Sequence, residues 1–442
     1  MVKIKTLIKD GMVVDPANNL RKITNILING NIVEKIHPEI TPREAEVVIN
    51  AEDKLVVPGL IDLHVHLRDP GQTHKEDLAT GTMAAAHGGF TSVACMPNTT
   101  PVLDTPERVK TLVQRLKKEA HVNVFPVAAV TKGLEGEVVT DFEGLKAAGA
   151  VAFSDDGKVV QHASIMYEAL KRAGALSLPI CQHAEDASLS CGTVINEGEV
   201  AEKLGVKGDP DISESVIIAR DIVLAAHTGG HVHVGHISTE LGVTLVRRAK
   251  QMGIKVTAEV TPHHLLLTDE YVLKAGPNAK MRPPLRTQQD VEAIRQALAD
   301  GIIDCIVTDH APHAAEEKNV DLADAANGIV GLETALGLVL THLVGEKVLS
   351  LEDAIAAMTY KPASILGLDK GVLAAGKDAD ITIIDLNKKW TVDPEAFFSK
   401  SRNTPFSGWQ LTGKPVLTMV GGKVVWSDES INIEVVNSDK VS

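Results

Sequence analysis

The chain has 442 residues, of which 44% are hydrophobic, and this length favours a large core with a smaller second domain. Its formal net charge of −14 disfavours binding to nucleic acids or anionic membranes, which are themselves negatively charged. The N-terminus has no apolar signal-peptide region, and no run of about 18 apolar residues could span a bilayer. We therefore expect a cytoplasmic protein that binds neither nucleic acid nor membrane.

Both ends of the chain are predicted to be β-structure. Residues 1–57 contain short apolar runs separated by turn signals such as Asp10-Gly11 and Asn29-Gly30. The C-terminal segment has the same character, with Gly421-Gly422 between two strand-like runs. We predict that residues 1–57 and 366–442 together form one small β-sandwich domain.

Residues 58–365 alternate between strand-like and helix-like segments. The candidate strands span residues 60–66, 91–96, 122–130, 150–154, 176–182, 231–236, 255–260 and 302–308. Eight β/α units predict an α/β fold of the (β/α)₈ TIM-barrel type rather than a doubly wound sheet. Residues 183–212 and 311–332 exceed the usual loop length, so we expect them to border a functional site.

The first candidate strand contains a His-x-His pair. Successive side chains of a strand point to opposite faces, so His64 and His66 share one face while Leu63 and Val65 occupy the other. Two imidazoles on one face can bind a single metal ion. The pair alone is a weak signal, and its interpretation depends on further ligands elsewhere in the chain.

Further residues of metal-ligand type lie at the ends of the later candidate strands. In a (β/α)₈ barrel the carboxyl ends of the strands form one rim, where functional residues lie. Any one of these residues could instead cap a loop or form a turn, but together they predict a metal site. Imidazole and carboxylate ligands suit Zn²⁺, and a shared carboxylate permits two ions about 3.5–4 Å apart. The residues at the later strand ends are Asp155, Asp156, His183, His236 and Asp309.

Several separate motifs, in order along most of the chain, resemble the amidohydrolase superfamily and, more closely, the dihydroorotases of the long bacterial type. The motifs are PGLIDLHVHLRDPG, ACMPNTTP, AFSDDG, CQHAED, VGHIS, KMRPPLR, TDHAPH and NGIVGLET. The resemblance implies that His64 and His66 bind one zinc ion and that His183 and His236 bind a second. Asp309 would ligate the first ion and act as general acid and base.

The ligand between the two ions is open to two assignments. Most of the superfamily uses a carboxylated lysine at the end of strand four, but this chain has no lysine there before Lys158. The related dihydroorotases use the aspartate that precedes the glycine, which corresponds to Asp156. Asp155 is the alternative and would point to the opposite face if the strand is still extended.

The resemblance also implies a set of substrate contacts. Arg68 and Asn98 would hold a substrate carboxylate, since an arginine fork can donate two hydrogen bonds to it. Many relatives have asparagine where this chain has Arg282, which could contact substrate differently or form an ion pair at the rim. The full expected set is His66, Arg68, Asn98, Arg282, His313, Asn327 and Gly328.

The implied activity is the reversible interconversion of N-carbamoyl-L-aspartate and (S)-dihydroorotate in de novo pyrimidine (UMP) biosynthesis. Two zinc ions would provide a metal-bound hydroxide as nucleophile, and Asp309 would transfer the proton. The alternatives are another cyclic-amide hydrolase, such as a dihydropyrimidinase or allantoinase, and a non-catalytic partner subunit of aspartate transcarbamoylase. We expect a homodimer, and the catalytic protein could also assemble with aspartate transcarbamoylase.

Other histidines are expected to be structural. His231 and His233 repeat the His-x-His spacing, but they lie at the start of the sixth strand, at the opposite end of the barrel. His263 and His264 follow the seventh strand and correspond to no ligand of the family. Glu185, close to the ligand His183, is expected to support the metal ligands from outside.

Overall fold

The computed structural model describes residues 4–436. Residues 1–3 and 437–442, which the predicted terminal domain includes, lie outside this range. The N-terminal segment forms five strands: β1 (Lys5–Asp15), β2 (Leu20–Asn29), β3 (Ile32–Ile36), β4 (Val47–Asn50) and β5 (Leu55–Pro58).

The central segment contributes ten strands, of which eight form the barrel and two short ones, β11 and β12, pair with each other. They are β6 (Leu60–Val65), β7 (Phe90–Cys95), β8 (Asn123–Ala128), β9 (Ala152–Phe153), β10 (Pro179–Gln182), β11 (Ile195–Asn196), β12 (Gly208–Asp209), β13 (His231–Val234), β14 (Val256–Val260) and β15 (Cys305–Ile306). The C-terminal segment adds β16 (Ile381–Thr391), β17 (Gln410–Val420), β18 (Lys423–Ser427) and β19 (Asn432–Val435).

Helices alternate with the barrel strands, and a π-helix, Val339–Val344, continues the thirteenth. The helices are α1 (Leu78–His87), α2 (Pro106–Glu119), α3 (Phe142–Ala148), α4 (Ala163–Ala175), α5 (Ala187–Ser190), α6 (Glu199–Leu204), α7 (Ile212–Thr228), α8 (Glu240–Gln251), α9 (Pro262–Leu266), α10 (Val272–Ala275), α11 (Gln288–Ala299), α12 (Ala315–Lys318), α13 (Ala335–Leu338), α14 (Leu351–Ala357) and α15 (Tyr360–Ile365). Among the residues described, none of the helices is long and apolar enough to cross a membrane.

The barrel strands are parallel and follow the chain in the order β6-β7-β8-β9-β10-β13-β14-β15. The first and last strands meet beyond their ends, where the His66 amide donates to the His310 carbonyl at 2.9 Å. At the same seam Asp62 accepts a hydrogen bond from the Thr308 amide at 3.1 Å. The carboxyl ends of all eight strands therefore lie on one rim, and the predicted TIM-type fold is confirmed.

The terminal strands form one nine-stranded sheet that branches at β1. A register shift between Ile8 and Gly11 lets β1 pair first with β4 and then with β5. A Cβ on Gly11 would lie 2.5 Å from Val56 Cγ2, so glycine permits this close approach. The predicted sandwich core is thus shared by strands of a single sheet, with Ile49, Val56 and Ile383 among its buried residues.

The passage from this sheet to the barrel is short. Pro58, at the end of β5, still pairs with Ile381 of the terminal sheet, and β6 begins two residues later. A Cβ on Gly59 would lie 2.0 Å from Thr91 Oγ1, so only glycine fits between the two sheets. The division into residues 58–365 and a domain of residues 1–57 with 366–442 remains a proposal.

The segment between β16 and β17 packs on the barrel rather than on the terminal sheet. Phe397 and Phe406 belong to the same apolar cluster as Met281 and Ile329, which lie in loops at the carboxyl rim. Asn403 in this segment donates hydrogen bonds to the carbonyls of Ala311 and Gly328, both at 3.0 Å. The C-terminal segment therefore supports the loop that follows β15.

Candidate active site

A cavity of about 860 Å³ opens at the carboxyl rim of the barrel. Every residue predicted to bind metal or substrate lines it, with the exception of His64. His64 lies on β6 and is 2% exposed. The rim thus brings together residues that are far apart in the sequence, with a largest separation of 264 positions, from His64 to Gly328.

One half of the polar cluster is formed by His64, His66 and Asp309. Asp309 Oδ1 lies 3.1 Å from His66 Nε2 and 3.6 Å from His64 Nε2. His66 Nδ1 donates to Asn98 Oδ1 at 2.9 Å, so a neutral His66 presents the lone pair of Nε2 to Asp309. A lone pair and a carboxylate oxygen at this distance need a cation or proton between them.

The second half consists of His183 and His236. His183 Nε2 donates to Glu185 Oε2 at 3.1 Å, which leaves Nδ1 of a neutral imidazole as a lone pair. That atom lies 2.9 Å from His236 Nε2. The predicted support of the metal ligands by Glu185 is therefore a direct hydrogen bond to His183 in this structure.

Asp156 lies between the two halves. Its Oδ1 is 3.3 Å from His64 Nε2, 3.5 Å from His183 Nδ1 and 3.6 Å from His236 Nε2. Its Oδ2 is 3.4 Å from His66 Nε2. Asp155 instead accepts hydrogen bonds from the backbone and side chain of Thr131, on the other side of the chain. Of the two aspartates, only Asp156 has the position of a bridging ligand.

Three buried atoms of this cluster have no hydrogen-bond partner among the described residues: His64 Nε2, Asp156 Oδ1 and His236 Nδ1. Buried polar atoms are normally satisfied, so such orphans indicate a missing group. Two sets of donor atoms each lie within 4.8 Å of one another, namely His64, Asp156 and His236, and His64, His66 and Asp309. Imidazole and carboxylate donors are those that Zn²⁺ prefers, so these residues fit the binding of divalent metal.

The electrostatics of the cluster agree with this fit. Burial tends to raise the pKa of Asp156 and Asp309, but the neighbouring histidines outweigh it and hold both pKa values below the ordinary range. Burial tends to lower the pKa of His183, yet hydrogen bonds to Asp156 and Glu185 raise it to about 10. Both carboxylates are therefore anionic and attract positive charge.

Three of the site residues have a positive φ, a conformation that is uncommon outside glycine. The values are 58° for Arg68, 31° for His236 and 46° for Asp309. Such residues cost about 1–3 kcal/mol each and persist where the surroundings hold them. At this rim they turn the chain sharply after a strand, which points three functional side chains into the cavity.

Arg68 brings a buried positive charge to the cavity wall. Its Nε donates to the Pro312 carbonyl at 3.1 Å, and the side chain forms no ion pair within residues 4–436. Burial lowers its pKa, although the charges of Asp309 and Asp156 oppose that effect. His313 lies beside it with Nη2 to Nε2 at 3.4 Å. This guanidinium is available to an anionic ligand.

The loop after β15 also lines the cavity, beside Arg68. His313 Nε2 donates to the Asn327 carbonyl at 2.8 Å. The Gly328 carbonyl accepts hydrogen bonds from Lys318 Nζ at 3.1 Å and Asn403 Nδ2 at 3.0 Å. Gly328 has a φ of 122°, and a Cβ there would lie 2.6 Å from Ala311 Cβ, so glycine is required. Lys318 and Asn403 were not identified by the sequence analysis, because neither belongs to a recognisable motif.

Arg282 lines the cavity, and its Nε lies 3.8 Å from Glu185 Oε2. Its Nη1 forms an ion pair with Asp209 and donates to Thr193 Oγ1 at 2.9 Å, and Nη2 donates to the Thr193 carbonyl at 3.0 Å. Of the two alternatives for Arg282, the ion pair at the rim is the one present. A direct contact with substrate stays a prediction.

Glu259 on β14 is a further residue that the sequence analysis overlooked. It is fully buried, and its Oε1 accepts a hydrogen bond from His64 Nδ1 at 2.5 Å. The signal was an acidic residue inside the apolar run VTAEV, since a buried charge needs a partner. His263 and His264 are also buried. His264 hydrogen-bonds Thr261 and the Pro283 carbonyl, whereas His263 Nε2 has no partner among the described residues, so the structural role expected for the pair stays a prediction.

Comparisons with known proteins agree with the predicted family. Residues 53–241 match the model of the Dihydro-orotase-like family, and residues 157–426 match that of the Amidohydrolase family. The chain is 51% identical over 422 residues to a dihydroorotase of Geobacillus sp. (strain WCH70), covering 96% of this chain and 97% of the relative. It is 48% identical over 419 residues to a dihydroorotase of Acetivibrio thermocellus, covering 95% and 98%.

Solved structures with the same fold include hydantoinases. The L-hydantoinase (dihydropyrimidinase) of Arthrobacter aurescens superimposes with a TM-score of 0.88 at 28% identity, over 97% of each chain. A dihydropyrimidinase of Brevibacillus agri gives a TM-score of 0.84 at 22% identity, over 98% of this chain and 97% of that one, which supports the fold alone. Sequence identity near 50% over almost the whole length is the more specific finding, and the chain belongs to the dihydroorotase family of the amidohydrolases.

Proposed function

We propose that this protein is a zinc-dependent dihydroorotase that interconverts N-carbamoyl-L-aspartate and (S)-dihydroorotate. The observation that carries the proposal is one cavity lined both by five residues of the histidine–aspartate cluster, with His64 buried against them, and by Arg68, which has no ion-pair partner among the described residues. The cluster fits a pair of divalent ions, and the buried guanidinium fits a substrate that bears a carboxylate. The names of the relatives support the same substrate.

Substrate binding follows from the walls of the cavity. The substrate carboxylate would lie against Arg68, where a bidentate contact fixes its orientation. Asn98 and His313, which flank Arg68 in the cavity lining, would contribute further polar contacts. The amide groups of the ring would face Asn327 and Gly328, whose loop is held by Lys318 and Asn403. The ring carbonyl next to the leaving nitrogen would then be presented to the cluster.

Divalent ions at the cluster would supply Lewis acidity, which polarises a carbonyl oxygen and lowers the pKa of a water molecule to about 7. His64, His66 and Asp309 would hold one ion, His183 and His236 the other, and Asp156 both. Asp309 is anionic because its pKa is lowered, so its carboxylate can accept the proton of the attacking water. It can return that proton to the ring nitrogen when the C–N bond breaks.

The same groups serve the biosynthetic direction. The cyclising carboxyl group would take up a proton from solvent, and Asp309 would accept the proton of the carbamoyl nitrogen as that nitrogen attacks the carboxyl carbon. Asp309 would then return this proton to the departing hydroxyl group, which leaves as water. Arg68 would hold the other carboxylate of carbamoyl aspartate and leave the reacting one free to approach that nitrogen. General acid–base catalysis of this kind contributes about 10²–10⁴-fold.

The rival functions differ in their substrates. A dihydropyrimidinase or allantoinase acts on an uncharged ring, for which an unpaired buried Arg68 has no carboxylate to bind. A non-catalytic partner subunit needs no intact ligand set, whereas all six ligand residues are present and converge here. Four further properties remain proposals. Metal analysis would test the number of two metal ions, and cell fractionation would test the cytoplasmic location. The mass in solution, with and without aspartate transcarbamoylase, would test the homodimer and the complex with that enzyme.

The test is an assay in both directions combined with metal analysis of the purified protein. We expect one to two zinc ions per chain, interconversion of dihydroorotate and carbamoyl aspartate, and little turnover of dihydrouracil or allantoin. Asp309→Ala should lower kcat by about 10²–10⁴-fold. Full activity of that variant, or a metal-free active protein, would contradict the proposal.

A further inference from the structure

Glu259 lies beneath the cluster, in the interior of the barrel. Its Oε1 accepts hydrogen bonds from His64 Nδ1 at 2.5 Å and from the His236 backbone amide at 3.2 Å. Its Oε2 accepts from His233 Nε2 at 3.0 Å. One buried carboxylate is thus bonded to His64 and His236, one from each half of the cluster. It is also bonded to His233, which lies toward the other end of β13.

We infer that Glu259 is a positioning residue that makes His64 a metal ligand through Nε2 and that also fixes the backbone of His236. The inference rests on the proposed metal centre and adds to it a residue from β14, a barrel strand that supplies none of the six ligand residues. Carboxylate partners of metal-bound histidines orient the ring and raise its basicity, and their loss typically costs 10–100-fold in metal affinity or activity.

The tautomer of His64 follows from the chemistry of the acceptor. An ionised carboxylate can only accept hydrogen bonds, so the proton of His64 must be on Nδ1. Glu259 Oε1 also accepts the His236 amide hydrogen and its Oε2 accepts from His233 Nε2, so both oxygens of Glu259 serve as acceptors. The lone pair of His64 is then on Nε2, the buried atom that has no partner in the described chain and that faces Asp156.

The effect on His236 is exerted through the backbone. His236 has a φ of 31°, an uncommon conformation for a residue other than glycine. The Glu259 side chain accepts its amide hydrogen, and the Glu259 carbonyl accepts the amide hydrogen of Ile237 at 3.0 Å. Both bonds tie the end of β13 to β14 at the point where His236 turns into the cavity.

Glu259 is itself held from below. His233 Nδ1 and His231 Nε2 both lie 2.8 Å from Thr257 Oγ1. A chain of hydrogen bonds therefore runs from His231 through Thr257 and His233 to Glu259 and His64. The influence on the metal site should diminish along this chain with the number of bonds that separate each residue from His64.

A second metal site is the competing interpretation, since His233, Glu259 and Cys305 have donor atoms within 4.8 Å of one another. Glu259 already accepts a hydrogen bond on each oxygen, and both ring nitrogens of His233 have partners. Burial also raises the pKa of the Cys305 thiol well above its ordinary value, which disfavours the thiolate that a metal would need. The hydrogen-bonded network accounts for these residues without an ion.

The test compares zinc affinities of metal-stripped Glu259→Gln, His233→Gln and His231→Gln with that of the unmodified protein. A glutamine at 259 keeps the size and can accept the same two bonds on Oε1, but it lacks the negative charge. In Glu259→Gln, we expect the affinity for the weaker-bound zinc ion to fall about 10–100-fold. The affinity should fall less in His233→Gln and should be unchanged in His231→Gln. Glu333→Gln is the matched control, because it removes a buried carboxylate that accepts from His87 far from the cluster.

Thermal midpoints of the metal-free proteins separate positioning from folding. Lower zinc affinity at an unchanged metal-free midpoint supports the inference, whereas a lower midpoint with unchanged affinity shows a purely structural role and overturns it. If Glu259→Gln fails to fold, the comparison rests on the other two variants. Equal zinc affinities of His233→Gln and His231→Gln would then also overturn the inference. Failure of the unmodified protein to bind zinc would contradict the proposed function instead, so the two failures are distinguishable.

Discussion

Two His-x-His pairs lie on parallel strands of the same barrel but at opposite ends. His64 and His66 are at the carboxyl end of β6, and His231 and His233 are at the amino end of β13. In the first pair His64 Nε2 is a buried atom without a partner within residues 4–436, and both Nε2 atoms face carboxylates. In the second pair His233 has partners on both ring nitrogens and His231 bonds Thr257.

The difference shows that the spacing of two histidines does not determine their role. At the carboxyl rim, side chains from several strand ends converge, and His64 Nε2, Asp156 Oδ1 and His236 Nδ1 have no hydrogen-bond partner among the described residues. At the amino end the same residue type is satisfied by neighbours on the adjacent strand β14. Glu259 joins the two pairs, and the lower pair therefore supports the upper one instead of forming a site of its own.

The largest expected effect concerns the carboxylate that lies between the two halves of the cluster. Asp156→Asn should lose both ions and reduce activity by more than the roughly 100-fold that loss of an outer partner can cause, since an amide cannot provide two anionic oxygens. Asp155→Asn is the matched control, because that side chain bonds Thr131 instead. Metal analysis and turnover check both variants, and equal loss in the two would mean that Asp156 has no special position.

The next effect addresses the two histidine pairs directly. His64→Gln should lose the ion held with His66 and Asp309, and turnover should fall with it. His231→Gln removes the same ring from the same spacing and should retain metal and turnover. The measurement is the zinc content of the two purified variants. A greater loss of zinc in His231→Gln would mean that the metal site lies at the amino end of the barrel rather than at the carboxyl end.

A smaller effect is expected from the cation at the cavity wall. Arg68→Met removes charge-assisted hydrogen bonds worth about 1.5–3 kcal/mol, so KM for dihydroorotate should rise roughly 10- to 150-fold while zinc content is retained. Arg282→Met tests the other arginine of the cavity: because its guanidinium is paired with Asp209, KM should rise less than in Arg68→Met. An unchanged KM in Arg68→Met would remove the argument for an anionic substrate.

The smallest effect is one of pH on the substrate loop. Burial, together with the charge of Lys280, lowers the pKa of Lys318 from 10.5 to about 7. The unfolded chain therefore binds more protons between these values, and this lysine makes the free energy of unfolding increase with pH across that interval. The difference in unfolding free energy between the protein and Lys318→Met should grow from pH 7 to pH 10, measured by urea denaturation. Lys117→Met, on the exposed face of α2, should show no such trend.

Much of the barrel could be predicted because its strands are apolar runs that end abruptly in polar residues. The limits of those runs were less accurate: within the predicted strand 302–308, the structure has a strand only over Cys305–Ile306. Residues near its ends still follow the barrel wall, but Thr308 is bonded to the side chain of Asp62 rather than to a neighbouring strand. Sequence patterns report burial, and they do not report which backbone groups find a ladder partner.

The residues that sequence reasoning missed act through contacts distant along the chain. Asn403 supports a loop 75 residues before it, and Glu259 bonds a histidine 195 residues before it. Lys318 donates hydrogen bonds to three backbone carbonyls, and no spacing of residues in the sequence predicts this role. By contrast, the convergence of the six cluster residues could be predicted because each lies at the carboxyl end of a barrel strand, where the fold brings them together.

The most direct test of the central claim is a crystal structure of the zinc-loaded protein, with data collected on both sides of the zinc absorption edge. The account predicts two anomalous peaks, one near His64, His66 and Asp309 and one near His183 and His236, with Asp156 contacting both. Absence of zinc from the rim, or a peak at His233, Glu259 and Cys305 instead, would contradict it.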